Sequence, residues 1–94
     1  MIKHNTAERQ FFLEPLPAQR CVLDYQWQGD QTVVFTHTGV PPALEGQGLA
    51  ARLVKAGLQW AREQKVRVLP ACSYVAAYIR RHPEWNDLLS ETPA

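Results

Sequence analysis

The sequence predicts an α+β fold in which an antiparallel three-stranded meander is followed by a helix, a fourth strand and a second helix. Three observations support this prediction. Residues 9–39 show the two-residue alternation and the β-branched composition of strands. A proline-containing break follows at residues 39–43, and from residue 48 the hydrophobic period becomes helical. A strand, a crossover helix and a further strand imply one parallel pair, so we expect a mixed sheet.

The predicted strands of the meander cover residues 9–14, 20–28 and 31–39. Proline donates no ladder hydrogen bond, so the prolines at 15 and 17 end the first strand. In the second strand alternate positions are mainly apolar, which assigns one face to Cys21, Leu23, Tyr25 and Trp27. Gly29 and Asp30 indicate a two-residue hairpin turn before the third strand.

The first helix is predicted from Gly48 to about Gln64, with Leu49, Leu53, Ala56 and Trp60 on its apolar stripe. Residues 66–70 form a short strand that Pro70 ends. Ser73 is the expected N-cap of a second helix, from Tyr74 to about Arg81. Residues 84–94 are expected to add one last turn and a tail.

Length and composition indicate a single domain over residues 1–94. Hydrophobic residues are 46% and charged residues 20% of the 94 residues, which excludes a disordered chain, a collagen repeat and a coiled coil. No apolar run is long enough for a membrane span, and the N-terminus lacks an apolar signal-peptide core, so we expect a cytoplasmic location. The two cysteines and three scattered histidines have no metal-ligand spacing, so no metal is expected.

The charge is unevenly distributed along the chain. Residues 52–81 contain seven Lys or Arg residues and only one acid, Glu63, whereas the whole chain has a net charge of +1. Such a segment suggests an anionic ligand, although a solvated helix face is the simpler interpretation of the charge alone. A nucleic-acid partner is disfavoured because neither aromatic–basic interleaving nor a recognition-helix motif is present.

The most informative segment is the glycine loop, residues 45–50, which lies between the third strand and the first helix. Gly46 and Gly48 permit backbone conformations and close approaches that a β-carbon would prevent. The N–H groups and dipole of the following helix favour a phosphate. The Gly-Lys-Ser/Thr ending of a Walker loop is absent. From spacing alone, a phosphate site and a plain glycine turn are both consistent with this loop.

Four blocks, taken together, resemble a known family. Glu45-Gly46-Gln47-Gly48-Leu49-Ala50 is similar to the pyrophosphate loop of the GNAT acetyltransferases. The other three blocks resemble the small, stand-alone N-acetyltransferase-domain proteins: His37-Thr38-Gly39-Val40-Pro41, Leu69-Pro70-Ala71-Cys72-Ser73-Tyr74 and Tyr78-Ile79-Arg80-Arg81-His82-Pro83-Glu84-Trp85. The resemblance extends from about residue 35 to residue 88 and implies a GNAT-like mixed sheet with the glycine loop at the start of the central helix.

The resemblance also implies acetyl-CoA as co-substrate. The backbone N–H groups at Gly46, Gln47, Gly48, Leu49 and Ala50 are expected to bind its phosphates. Thr38, Gly39 and Val40 are expected to meet the pantetheine and the thioester carbonyl, with Gly39 permitting a bulge. Tyr78 and Arg81 are expected near the coenzyme arm, although core packing and solvation explain them as well.

Two departures from the family pattern concern the substrates. Glu45 stands where the family has Gln or Arg, so its side chain should point away from the phosphates and only its backbone should contribute. The helix pair that the family inserts between its first two strands is missing, because only residues 15–19 join them. Those helices build much of the acceptor groove, so we expect a more open site and leave the amine acceptor unidentified.

Two residues are candidates for catalysis. Cys72 precedes the expected N-cap, where a helix N-terminus favours the thiolate, although a small core cysteine is the simpler interpretation without the resemblance. His37 is expected to share a strand face with Val33 and Phe35, and an imidazole suits a general base as well as a structural position. The resulting hypothesis is an acetyl-CoA-dependent N-acetyltransferase, with a weak or inactive CoA-binding module as the alternative.

Overall fold

The computed structural model describes residues 1–90, and its strands form one sheet in the order β1-β2-β3-β4-β5. The strands are β1 (Lys3–Asn5), β2 (Gln10–Leu16), β3 (Gln19–Gln28), β4 (Thr32–Gly39) and β5 (Arg67–Pro70). The helices are α1 (Leu49–Gln64) and α2 (Ser73–Arg81), with 3₁₀ turns at Pro42–Leu44 and Pro83–Leu88. β1 to β4 pair antiparallel and β4 pairs parallel with β5, which confirms the mixed α+β sheet.

The first strand, β1, is absent from the sequence-based prediction. Three residues are too few to show an alternation, and tertiary contacts hold the strand in place. His4 pairs with Phe11, its ring stacks on the Phe11 ring at 3.9 Å, and its Nε2 lies 2.7 Å from the Tyr25 hydroxyl. Burial among these rings lowers the pKa of His4. The meander is therefore four strands long, not three.

Both hairpins differ slightly from the prediction. β2 continues through Pro15 to Leu16, because a register shift between Leu13 and Leu16 accommodates the missing proline donor. Only Pro17 and Ala18 connect β2 to β3, so this connection contains no helix pair, as the sequence predicted. The β3–β4 loop has three residues instead of two, and Gly29 adopts a φ of +69° there.

All buried strand side chains lie on the face that α1 covers. Tyr25, Phe35 and Leu23 contribute the largest of them, and Leu53, Val54 and Leu58 of α1 pack against this face. In the described part of the chain, no strand residue on the other face is buried, so that face remains open. The expected last turn is present at Pro83–Leu88, with Trp85 and Leu88 buried, and the expected tail lies outside the described residues.

Gly57 determines how closely α1 approaches the sheet. A β-carbon there would lie 2.8 Å from Leu23 Cδ2 and 3.1 Å from Phe35 Cε1 and Cζ. Leu23 and Phe35 are both fully buried, so neither ring nor methyl has free space to move into. The glycine is therefore a packing requirement that helix propensity alone would not select.

We expect Gly57→Ala to destabilise the protein by up to about 2 kcal/mol. Overpacking a core costs roughly 1–3 kcal/mol, and this exceeds the helix-propensity gain of about 1 kcal/mol. The free energy of unfolding, measured in denaturant, tests this. Gln59→Ala, at an exposed position of the same helix, should change it by less than about 0.5 kcal/mol. A Gly57→Ala protein more stable than wild type would refute the close-packing argument.

Candidate functional site

A bulge in β4 organises the candidate site. Tyr25 pairs with Phe35 and Asp24 pairs with His37, so Thr36 is an extra residue with no partner of its own. The Thr36 hydroxyl donates to the Asp24 carbonyl at 3.3 Å, which holds the bulge. The sequence-based expectation assigned this bulge to Gly39, three residues later, and that assignment is wrong.

Beyond the bulge, β4 loses its neighbour on one side. β4 pairs with β5 only from Thr32 to Phe35. Just after β5, the Cys72 N–H donates a last backbone hydrogen bond to the Phe35 carbonyl at 2.9 Å. Within residues 1–90, the segment 36–39 has a strand partner only on the β3 side. The free edge of this segment therefore presents backbone groups to a ligand that enters between β4 and β5.

The bulge turns Thr38 towards Cys72. Thr38 pairs with Leu23, whose side chain is buried on the α1 face, so Thr38 shares that face. Its Oγ1 lies 3.7 Å from Cys72 Sγ, within hydrogen-bonding distance for sulfur. The sequence assigned only the backbone of Thr38 to the site and missed its side chain. Only a sequence pattern that reveals the bulge could have predicted the position of the Thr38 side chain, and residues 36–38 show no such pattern.

Cys72, and not Ser73, is the N-cap of α2. Burial of the thiol raises its pKa, but hydrogen bonds to the sulfur outweigh burial, and the pKa of Cys72 is lowered overall. The groups that lower it are the N–H groups of Val75, Tyr74 and Thr38 and the Thr38 hydroxyl, and the hydroxyl lies within hydrogen-bonding distance of the sulfur. The helix N-terminus adds its positive end to these contacts. Cys21, by contrast, is fully buried, and burial raises its pKa.

The sequence predicted that His37 shares a strand face with Val33 and Phe35. That prediction is wrong. The extra residue at Thr36 reverses the alternation, and His37 lies opposite Asp24 on the open face of the sheet. Its side chain is exposed. The two candidate catalytic residues, Cys72 and His37, thus lie on opposite sides of the sheet, and both border the unpaired end of β4.

The glycine loop has the geometry that a bound phosphate requires. Gly46 and Gly48 have φ values of +82° and +74°, and a β-carbon on either would meet no atom within 4 Å. Gly48 is the N-cap of α1 and supplies no side-chain hydrogen bond. Because the first helical bond runs from Arg52 N–H to Gly48 carbonyl, the N–H groups of Leu49 and Ala50 point out of the helix end.

A cavity of about 610 Å³ lies against this loop. It is lined by Thr38, Gly39, Val40, Leu44, Glu45, Gly46, Gly48, Leu49, Ala50 and Tyr74. Nearly all of the loop and strand residues predicted for the coenzyme therefore surround one space, and Gln47 is exposed beside them. Glu45 is exposed too, but its N–H already donates to the Pro42 carbonyl at 3.3 Å, so it has no free backbone donor to offer.

A second cavity of about 560 Å³ runs between α1 and α2. Its lining consists of Ala51, Arg52, Lys55, Tyr74, Ala77, Tyr78, Arg81 and His82. Tyr78 and Arg81 thus line one cavity, and Tyr74, which lines both cavities, makes the two cavities neighbours. The sequence analysis did not predict Tyr74 and His82 as site residues. Their spacing of four residues on either side of Tyr78 could have indicated that all three lie on one side of α2 and its C-cap.

The basic side chains of this groove are free to bind an anion. Among residues 1–90 the ion pairs are Arg20–Glu14 and Arg62–Asp87, so neither Arg52, Lys55 nor Arg81 has an acidic partner there. Burial, and next Glu84 and Tyr74, raise the pKa of Tyr78 and keep its hydroxyl protonated as a donor. Two neighbouring cavities, one at free N–H groups and one beside three unpaired cations, suit an elongated, phosphate-bearing ligand.

Comparison with known proteins identifies the family. Residues 10–88 match the family model of the GCN5-related N-acetyl-transferases. This chain belongs to that family. The protein NATD1 of Xenopus tropicalis is 32% identical over 83 residues, which cover 87% of this chain and 76% of the relative. Human NATD1 is also 32% identical over 83 residues, which cover 87% of this chain and 74% of the human protein.

A solved structure supports the fold of this GCN5-related N-acetyltransferase domain. The NMR structure of a GCN5-like protein from Staphylococcus aureus superposes with a TM-score of 0.76 at 24% identity, over 99% of this chain and 90% of that chain. The resemblance and the fold class inferred from the sequence are both confirmed. In the described residues, no group of three or more His, Cys, Asp or Glu side chains could hold a metal, and neither helix is long and apolar enough to span a membrane.

We expect Cys72 to react with iodoacetamide at least about tenfold faster than Cys21 at neutral pH, because the thiolate is the nucleophile and only Cys72 has donors that stabilise it. Mass spectrometry of the folded protein over time measures both rates. Thr38→Val should move the pH dependence of Cys72 alkylation to higher pH, and Thr38→Ser should restore it. Equal rates at the two cysteines would show that Cys72 is an ordinary core thiol.

Proposed function

We propose that this protein is an acetyl-CoA-dependent N-acetyltransferase that transfers an acetyl group to an amine. The observation that carries the proposal is that the cavity at the start of α1, where no side chain caps the helix, adjoins the groove of unpaired cations at Arg52, Lys55 and Arg81. Coenzyme A is an elongated ligand with a pyrophosphate and a third phosphate, and these neighbouring cavities offer donors to both. A cytoplasmic, reducing location would keep Cys72 as a thiol, and we propose it on that ground.

In this proposal the pyrophosphate lies on the glycine loop. The N–H groups of Gly46, Gly48 and Leu49 donate to its oxygens, and the α1 dipole favours the negative charge. Arg52 and Lys55, one turn further along α1, add charge beside it. The open space at the missing β-carbons of both glycines is then the space that the phosphates fill.

The acyl end of the ligand would run along the unpaired edge of β4. The segment 36–39 lacks a β5 partner, so its edge is open to the pantetheine amides and the thioester carbonyl, with the Thr38 N–H directed at Cys72 on the same side. As the acceptor nitrogen attacks, the carbonyl oxygen gains negative charge, and an N–H donor already in position stabilises it more than water does. Cys72 and His37 border the same opening from its two sides.

Two routes for transfer are consistent with this arrangement. In the direct route, the amine loses a proton to His37 or water and attacks the carbonyl carbon, the carbon–sulfur bond breaks, and CoA departs as the thiolate. In the covalent route, the Cys72 thiolate attacks first, CoA departs, and the amine then takes the acetyl group from Cys72. Both routes consume one acetyl-CoA and one amine and yield one amide and one CoA.

The alternative is a CoA-binding module without turnover. Glu45, an exposed carboxylate on the cavity lining, is the observation that favours it, because a negative charge near phosphates weakens their binding. The proposed CoA site is common to both functions, so ligand binding and acetyl transfer have to be tested separately.

We expect Gly48→Asp to weaken CoA binding at least about tenfold, or roughly 1.4 kcal/mol, because it adds bulk and negative charge where the phosphates lie. Isothermal titration calorimetry measures the change. Gly29→Asp is a matched control, because Gly29 also has a positive φ, +69°, and no atom within 4 Å of an added β-carbon. It imposes the same backbone strain far from the loop and should leave CoA affinity unchanged.

The same titrations test the groove. CoA should bind more tightly than dephospho-CoA, which lacks the third phosphate, and high salt should reduce the difference. Equal affinity of wild type and the Gly48→Asp protein for CoA would rule out the glycine loop as the phosphate site, whatever the groove does.

Acetyl transfer is tested by incubating the protein with acetyl-CoA and a panel of amines and weighing protein and products by mass spectrometry. If the covalent route operates, Cys72 gains an acetyl group and Cys72→Ala loses transfer at least about a hundredfold while its CoA affinity is unchanged. If the direct route operates, Cys72→Ala retains turnover; His37→Gln then loses it where His37 is the base and retains it where water is the base. CoA binding with no acetylated product from any amine would favour the binding module.

A further inference from the structure

Two rows of side chains lie next to each other on the open face of the sheet. The strand registers align Gln10 with Asp24 and Asp24 with His37, which forms a polar row across β2, β3 and β4. The neighbouring row aligns Phe12 with Val22 and Val22 with Gly39, and it is apolar. Neighbouring rows on one face are two residues, or about 7 Å, apart. Both rows end at the part of β4 that has no β5 partner.

Hydrogen bonds fix the carboxylate of Asp24 within the polar row. Gln10 Nε2 donates to Asp24 Oδ1 at 2.8 Å, and Arg20 Nη1 donates to Gln10 Oε1 at 3.1 Å, so the Gln10 amide has a single orientation. Arg20 is itself paired with Glu14 at 3.5 Å. In the described part of the chain, Asp24 has no ion pair, and its Oδ2 accepts no hydrogen bond. A half-buried negative oxygen therefore stands without a cation next to His37.

Gly39 ends the apolar row, and His37 and Val22 leave little room for a side chain there. A β-carbon at Gly39 would lie 3.1 Å from His37 Nε2 and 3.4 Å from Val22 Cγ2. The His37 imidazole nitrogen and a Val22 methyl group therefore lie close together over Gly39, beside Asp24 on the same face. A short alkyl chain that lies on Val22 would carry a terminal charged group towards Asp24.

From this arrangement we infer that the acceptor is a primary ammonium on an unbranched methylene chain, bound on the open face by Asp24, Val22 and His37. The inference rests on the proposed function, since it names the substrate of the same transfer. The methylene chain packs on Val22, Asp24 attracts the ammonium, and His37 accepts the proton that the nitrogen must lose before it attacks. Asp24 determines specificity, because it alone on this row carries an unpaired negative charge.

The arrangement also keeps the two substrates apart until they react. The coenzyme path follows the loop and helices, whereas the acceptor approaches from the sheet face that α1 leaves open. They meet only where β4 has lost β5. The absence of a helix pair between β2 and β3 is what leaves this face accessible.

NMR titration of the ¹⁵N-labelled, CoA-saturated protein with 1-aminopentane tests the inference, and 1-pentanol serves as the uncharged isostere. The amine should shift the amide resonances of Val22, Asp24, His37 and Gly39 and bind at least about fivefold more tightly than the alcohol. Asp24→Asn should remove that preference. Because an asparagine Oδ1 still accepts from Gln10, the fold should be retained. Asp30→Asn, which removes the same charge from the β3–β4 loop, should leave the preference intact.

The inference is overturned if Asp24→Asn and Asp30→Asn affect amine binding equally, or if the amine shifts resonances of the α1–α2 groove instead. Acetylation of 1-aminopentane is measured in parallel, which separates this inference from the proposed function. A wild-type protein that binds the amine at Asp24 but never acetylates it contradicts the proposed transferase and supports the amine site. A protein that acetylates it with the same KM in Asp24→Asn contradicts the amine site and supports the transferase.

Discussion

One extra residue in β4 determines the rest of this site. If residues 35–38 alternated regularly, with no bulge at Thr36, His37 would point into the core with Phe35, and Thr38 would face solvent. With it, Thr38 meets Cys72 on the α1 side, and His37 meets Asp24 on the open side. Beyond Phe35, β4 has a strand partner on one side only. The bulge leaves Thr36 without a partner residue in β3. The hydrogen bond from its hydroxyl to the Asp24 carbonyl replaces part of the lost strand pairing.

The sequence predicted the elements well and the faces of their side chains less well. Alternation in residues 20–28 and the helical period from Leu49 onwards are local patterns, so they reveal strands and helices directly. A bulge depends on which residue of the partner strand lies opposite, and Thr36-His37-Thr38 alternates identically with or without one. For this reason the sequence-based prediction placed His37 on the wrong face of the sheet and did not include the Thr38 side chain in the site.

Other differences have the same origin in tertiary contacts. β1 is only three residues long and exists because His4 fits between Phe11, Tyr25 and Trp60, contacts that no local pattern encodes. The loop glycines, by contrast, were predictable, because a positive φ at Gly46 and Gly48 is a local requirement. The groove between α1 and α2 was only half predictable. Its cations are visible in the composition, but their lack of acidic partners is a property of the fold.

The segregated charge acquires a spatial meaning in the fold. The basic segment forms α1 and α2, whose facing sides present Arg52, Lys55 and Arg81, while Asp24 lies across the sheet on the opposite side. A sheet only one layer thick thus separates a surface suited to phosphates from one suited to an ammonium. In the proposed transfer, each charge would repel the other's ligand, so the two substrates would reach the unpaired end of β4 from opposite faces. In so short a chain, this separation needs no additional helices, because the unpaired end of β4 is accessible from both faces.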